Sequence, residues 1–225
     1  MGNICRYEIF DCDNISDSKS LAYLHRKLLP HSPVALLGEG FMENFYYSDL
    51  PRLGLIRGFT VFVNDKPAGF IVATEDPSGF LMEGLKKKWL KLMIVMIKAI
   101  AQEPSRLSSV WEAYQIISKL PSSAKKLDSG ELLSFGVLPE YSKITMQKSL
   151  GQNISKVLVE MTVEQLVKNN CTEIRAVVDK DNLVAKMFYH GLGWAVSDEI
   201  VNGWKVPTMQ FVWKKDDAEN RISES

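Results

Sequence analysis

The feature that most restricts how this chain can fold is a strand, helix, strand succession in its second half. "ELLSFGV" sets Leu133, Phe135 and Val137 on one side of an extended run and Ser134 and Gly136 on the other. A helix face comes next at Ile154, Val157, Leu158 and Met161, running toward Asn169, and "TEIRAVV" then reads as a second strand. Strands joined in this way lie parallel with a right-handed crossover. "NLVAKMFYHGLGW" is a further helix closed by glycine, and "NGWKVPTMQFVW" supplies an antiparallel finish.

The first half prepares a sheet for those strands. Ile4 to Phe10 alternates as a strand, and "DCDNISDS" supplies turn residues and helix caps. Leu21, Leu24, His25 and Leu28 recur at i, i+3, i+4 and i+7, which predicts a helix ending near Pro30 with His25 in the core. "GFTVFVNDKPAGFIVATED" predicts a hairpin of Phe59 to Val63 against Gly69 to Ala73. From Gly79 to about Leu120 only helical periodicity is present. Leu85, Trp89, Leu92, Met96 and Ile100 are predicted to face the core, and Lys86, Lys87, Lys88 and Lys91 read as a solvated face rather than a membrane-binding one. "PSSAKKLDSG" has loop composition. The expectation is a single mixed α/β domain over 1–213 with a helical insertion at about 79–120, followed by a polar, flexible tail at 214–225.

Composition narrows the partner. A chain of 225 residues, 46% hydrophobic, is long enough for one substantial core. Its 27 Lys and Arg balance 27 Asp and Glu, so no charge excess favours capture of nucleic acid. A small-molecule partner is expected. Cys5, Cys12 and Cys171 are odd in number and lack ligand spacing, which argues against a disulfide scaffold and a metal site and suits a reducing cytoplasm. The N-terminus lacks a secretory pattern, and the apolar stretch from Trp89 to Ala101 is interrupted by Lys91 and Lys98, short of the roughly 20 residues a membrane span needs. Neither a transmembrane segment nor peripheral membrane contact is expected.

Asn182, Ala185 and Tyr189 fall at i, i+3 and i+7 on one helical stripe, with Val184 and Phe188 on a neighbouring face suited to the sheet. From spacing alone that stripe reads first as an N-cap, a packing alanine and a half-buried phenol, and second as a ligand-binding face. Val137 and Pro139 at the end of the first strand, then Asn182, Ala185, Tyr189, Gly193 and Trp194, match the pattern of the GNAT superfamily of CoA-dependent N-acyltransferases. The second match sets five typed positions within thirteen residues. The resemblance spans most of the chain except the helices between Gly79 and Gly130. Those helices and "LHRKLLPHSPVALLGEGFMENFYY" look like a bacterial acetyltransferase subgroup often encoded with polysaccharide synthesis.

The resemblance implies a mostly antiparallel sheet with one splayed parallel pair, and acetyl-CoA as cosubstrate. It also implies direct acetyl transfer to a primary amine of a small molecule, such as an amino sugar or sugar nucleotide. Protein or peptide N-acetylation and a non-catalytic GNAT-like module are the alternatives. Tyr189 would be the general acid toward the departing thiolate, Asn182 would bind the pantetheine arm, and a backbone N–H at Val137 or Leu138 would polarise the thioester. Glu131 is the candidate base, with a solvated strand-end carboxylate as the plain alternative. A β-bulge could change the direction of its side chain. His31 is the candidate acceptor contact. The pyrophosphate loop would be built from Gly151, Asn153 and Ser155. It departs from the family pattern, with Leu150 at the Arg/Gln position, Asn153 and Ser155 in place of glycines, and about eight additional residues after Pro139. A helix N-terminus still offers amides to a phosphate without those glycines.

Overall fold

The computed structural model describes residues 4–10, 15–102, 128–197 and 207–216. Seven strands, β1 (Cys5–Ile9), β2 (Arg57–Val63), β3 (Lys66–Thr74), β4 (Ser129–Val137), β5 (Glu173–Asp179), β6 (Ala195–Ser197) and β7 (Thr208–Lys214), form one sheet. Its order is β1-β2-β3-β4-β5-β7-β6. Every pairing is antiparallel except β4 with β5. The fold class read from the sequence is therefore the observed one, down to the single parallel pair. Asn64 and Asp65 carry positive φ in the β2–β3 hairpin, the backbone that a two-residue turn demands and that Asn and Asp tolerate best.

Each face of the sheet carries a core. On one face, α8 (Ile154–Lys168) and α9 (Leu183–Gly191) pack Ile154, Leu158, Leu166 and Tyr189, with Trp194 just past α9, against Phe59, Val61, Ile71, Leu132, Ile174 and Phe211. The opposite face is covered by a succession of short elements. These are α1 (Ile15–Leu28), α2 (Pro33–Leu36), α3 (Glu39–Phe41), a π-helical turn (Met42–Tyr46) and α4 (Asp49–Arg52), and then the long α5 (Phe80–Gln102). Leu21, Leu24, Phe41, Phe45, Tyr46, Tyr47 and Leu50 meet Phe70 and Val72 there. Leu28 of α1 lies against Gly136, so this helix crosses the far end of β4.

Two features of β4 matter for function. Its parallel ladder with β5 covers only Ser129 to Leu132, opposite Glu173 to Ala176. Beyond Leu132 the two strands part. At the same point the register with β3 jumps, Val72 facing Ser134 and Ala73 facing Leu132, so Leu133 is the extra residue of a bulge. The eight or so additional residues after Pro139 are housed in two short helices, α6 (Pro139–Ser142) and α7 (Ile144–Leu150).

Two expected helix faces differ from those observed. Trp89 is 58% exposed rather than in the core, next to Lys88 (φ −125°, ψ 20°), where the helical path of α5 breaks; the side chains of Leu92, Met96 and Ile100 lie outside the described residues. Val184 is 81% exposed; α9 instead packs through Ala185, Phe188, Tyr189 and Leu192. The continuation of the insertion past Gln102, the loop before Asp128 and most of the tail lie outside the described residues.

Candidate active site

The bulge at Leu133 decides what β4 presents. A regular strand would put Glu131 on the side of Phe135 and Val137, against α8. With one extra residue, Phe135 and Val137 stay on the α8 face, while Glu131 and Ser134, opposite Thr74 and Val72, turn to the face covered by α1 and the π turn. Arg175 stands beside Glu131 across the parallel pair and is held by Glu173, with Nε 2.8 Å from Oε1. Glu131 keeps part of its surface open to solvent where the strands separate. Its carboxyl nevertheless sits deep enough that burial pushes it up to about 7, against a smaller lowering by the Arg175 guanidinium. Such a carboxyl changes charge near neutral pH, as a general base should.

Tyr46 completes this face, and nothing in the sequence pattern singles it out. Its hydroxyl is hydrogen-bonded to Ser134, and the Glu131 carboxylate lies close enough to help raise its pKa, burial being the main cause. The π turn that delivers it is anchored through Tyr47, whose hydroxyl lies 2.6 Å from His25 Nδ1. His25 Nε2 is in turn 2.7 Å from Ser32 Oγ, which accepts from the Ala35 N–H at the start of α2. Stacked on Phe70 and fully buried, His25 is held neutral, its pKa lowered by burial to about 4. It fastens α1, α2 and the π turn together around Tyr46 and Tyr47. His31 is exposed in the turn after α1, directly before Ser32.

The predicted donor-side residues line the other face and the end of β4. Leu138 N–H donates to Ala68 O at 2.8 Å and so is occupied. Hydrogen bonding alternates along an antiparallel pair, so the Val137 N–H points away from β3, toward the gap left by β5. Tyr189 is 5% exposed, stacked on Phe211 with centroids 5.4 Å apart and flanked by Trp194 and Phe188. Burial raises its pKa above the ordinary phenol value. Phe188 stacks on Phe135 at 5.6 Å, so an aromatic pair joins α9 to β4 where the strands have parted. Asn182 is the N-cap of α9; its Oδ1 accepts from Ala185 N at 3.0 Å and its amide nitrogen remains a donor.

The loop into α8 takes its left-handed residue at Gly151 (φ 68°), which closes α7. Asn153 is extended (φ −94°) and serves as an N-cap, its Oδ1 accepting from Lys156 N at 3.2 Å. The amides of Ile154 and Ser155 open the helix beside it, and Lys156 pairs with Glu160 at 3.6 Å. Among the described residues no cluster of His, Cys, Asp or Glu could hold a metal ion, and Cys171 is a buried thiol raised to about 11 by burial, Glu75 and Asp128.

No protein-family model and no curated protein matches the chain. Solved structures do resemble it. Arabidopsis thaliana NAA60 in complex with acetyl-CoA is 14% identical, with TM-score 0.54, covering 95% of this chain and 99% of that one. The same plant protein with a bisubstrate analogue gives 15% and 0.52, covering 94% and 98%. A GNAT-family acetyltransferase from Streptococcus pneumoniae gives 13% and 0.51, covering 94% and 99%. The likeness is one of fold: the splayed mixed sheet of GNAT acetyltransferases.

Proposed function

We propose that this protein is a CoA-dependent N-acetyltransferase that moves the acetyl group of acetyl-CoA directly to a primary amine of a small molecule. The observation that carries the reading is the parting of β4 and β5 after Leu132, with Glu131 on one face of the opening and Tyr189 in the core of the other. A thioester held between the strands would meet the Val137 N–H as oxyanion donor. The acceptor ammonium would approach from the α1 side and lose its proton to Glu131, directly or through a water. The amine then attacks the thioester carbonyl, the C–S bond breaks as the Tyr189 phenol protonates the leaving thiolate, and the proton shed by the acylated nitrogen restores the phenol through solvent, leaving the amide and the CoA thiol. Positioning of the two reactants supplies most of the acceleration.

On the phosphate side, Ile154 and Ser155 amides at the start of α8 would face the pyrophosphate, with Gly151 giving close access and the Asn182 amide nitrogen reaching the pantetheine arm. The structure of the plant neighbour, bound to acetyl-CoA, supports this choice of cosubstrate. An amino sugar or its nucleotide is our preferred acceptor, in keeping with the resemblance of the Leu24 to Tyr47 segment, which walls the Glu131 face. One feature favours a second reading, a GNAT-like module that binds CoA weakly without turnover: Asn153 spends its own oxygen on a helix amide that a phosphate would otherwise take.

Calorimetric titration with acetyl-CoA, followed by thiol-release assays across amino sugars and peptides, separates these readings. Saturable micromolar binding, about −8 kcal/mol, with thiol release dependent on an amino sugar supports the enzyme. Binding without release from any amine supports the module.

A further inference from the structure

Beyond its kink, α5 carries exposed apolar side chains. Up to Lys88 it is well seated: Phe80 is buried, Leu81 and Leu85 pack on the α1-side core, and at Gly84 an added Cβ would collide with Leu50. After Lys88, Trp89 (58%), Leu90 (61%), Ile94 (56%) and Ile97 (60%) are exposed. Leu90, Ile94 and Ile97 recur at i, i+4 and i+7 and so form one outward stripe, with Trp89 beside its base. Lone exposed apolar residues are ordinary, but a stripe of this kind on one helix marks a contact surface.

The charges around the stripe indicate what it contacts. Lys86, Lys87, Lys88 and Lys91 form a collar at its base, and Glu83 is the only acidic residue of α5. Lys91 is braced 2.8 Å from the buried Asp49 carboxylate and donates to Asn44 O, and Lys88 lies 4.0 Å from Asp49. Lys87 pairs with Glu83, and Lys86 is exposed. The four lysines thus cluster within little more than one turn of the helix. A second copy of this chain would bring the same cationic collar against itself, whereas an anionic surface would complement it.

We propose that the outer part of α5 docks in the plane of an anionic phospholipid surface, with the lysine collar and Trp89 among the headgroups and Leu90, Ile94 and Ile97 in the upper acyl region. This contact lies on the membrane rather than across it, since no helix among the described residues is long and apolar enough to span one. It departs from the solvated lysine face and the lack of peripheral membrane contact expected from the sequence, and it does not depend on the acetyl-transfer reading.

The test is co-sedimentation of the full chain with vesicles of phosphatidylcholine alone and of phosphatidylcholine mixed with phosphatidylglycerol. Binding to the mixed vesicles only, weakened by added salt, is expected. Removing Lys86 and Lys87 (K86S, K87S) should weaken it about fivefold per lysine. L90S with I94S should weaken it by about a hundredfold or more, with the thermal midpoint unchanged because both side chains are already exposed. Failure of the wild type to bind the mixed vesicles, or equal binding by the L90S/I94S variant, overturns the proposal. So does a dimer of the wild type in light scattering that L90S/I94S converts to monomer, which would assign the stripe to a second copy.

Discussion

Replacing Glu131 with Gln should slow the proposed acetyl transfer and stabilise the fold at the same time, and the two effects share one cause. Moving a carboxyl from 4.5 to about 7 places up to about 3 kcal/mol of penalty on its charged form in the fold. Between those pH values the folded chain keeps a proton that the unfolded chain has lost. Stability from this group therefore falls as pH rises through the window and levels off above 7. A neutral carboxamide at the same position would carry no such penalty. The Glu131→Gln variant should match the wild type below pH 4.5 and gain up to about 3 kcal/mol above pH 7, at about 2–4 °C in Tm per kcal/mol for a chain of this size. For the wild type, kcat/KM should rise about tenfold per pH unit up to a midpoint near 7, and the variant should lose about 10²–10⁴ of the plateau rate along with that slope. Differential scanning calorimetry and thiol-release kinetics across about pH 4.5 to 8.5 give both curves. A variant with the wild-type plateau rate refutes Glu131 as the base. A Tm difference between the two proteins that does not grow with pH refutes burial as the source of the raised pKa.

Tyr189→Phe should depress kcat at least tenfold while acetyl-CoA affinity by calorimetry stays within a few-fold, because the hydroxyl is assigned to the leaving group and the ring to packing; unchanged turnover would remove it from the mechanism. Asn153→Gly should cost a few tenths of a kcal/mol in stability and tighten acetyl-CoA binding, since it frees the Lys156 amide; weaker binding would make the carboxamide itself a ligand contact. His25, lowered to about 4 from 6.5, contributes stability that is present above 6.5 and lost as pH falls through 4, up to about 3 kcal/mol. In His25→Gln, urea titrations should give a lower stability at neutral pH but a flatter profile between pH 6.5 and 4, and an unchanged slope would place the acid sensitivity elsewhere.

Period-two and period-3.6 patterns made β4, β5 and the helices α1, α8 and α9 legible, because each buries one regular face, while the hairpin, buried on both faces, was legible from its β-rich runs around a turn. Legibility failed where the backbone departs from regularity. Alternation assumes an unbroken strand, so it assigned Glu131 the parity of Phe135, and only the bulge brings it beside Ser134. The kink at Lys88 likewise detached Trp89 from the stripe that begins at Leu85. Tyr46 and the His25 network were hidden for another reason. "FMENFYY" is apolar in a way that any core segment could be, and the π turn that aims one tyrosine at Ser134 while fixing the next on His25 has no sequence signature of its own. Asn153 and Asn182 were visible as candidates, yet both cap helices, the plainer of the two roles that an Asn before a helix can take.

Leu133 also has a meaning for how such a chain changes length. Interior strands seldom tolerate a deletion, because every residue beyond it would trade sides. Here the strand already carries one residue more than its β3 partner needs, and loss of Leu133 would restore an even register with Glu131 still opposite Thr74. The local twist that accompanies the extra residue would go with it. β4 could then run on beside β5 past Ala176 and seal the opening. A descendant shortened by that one codon would keep its acid and lose the opening in which we place the thioester.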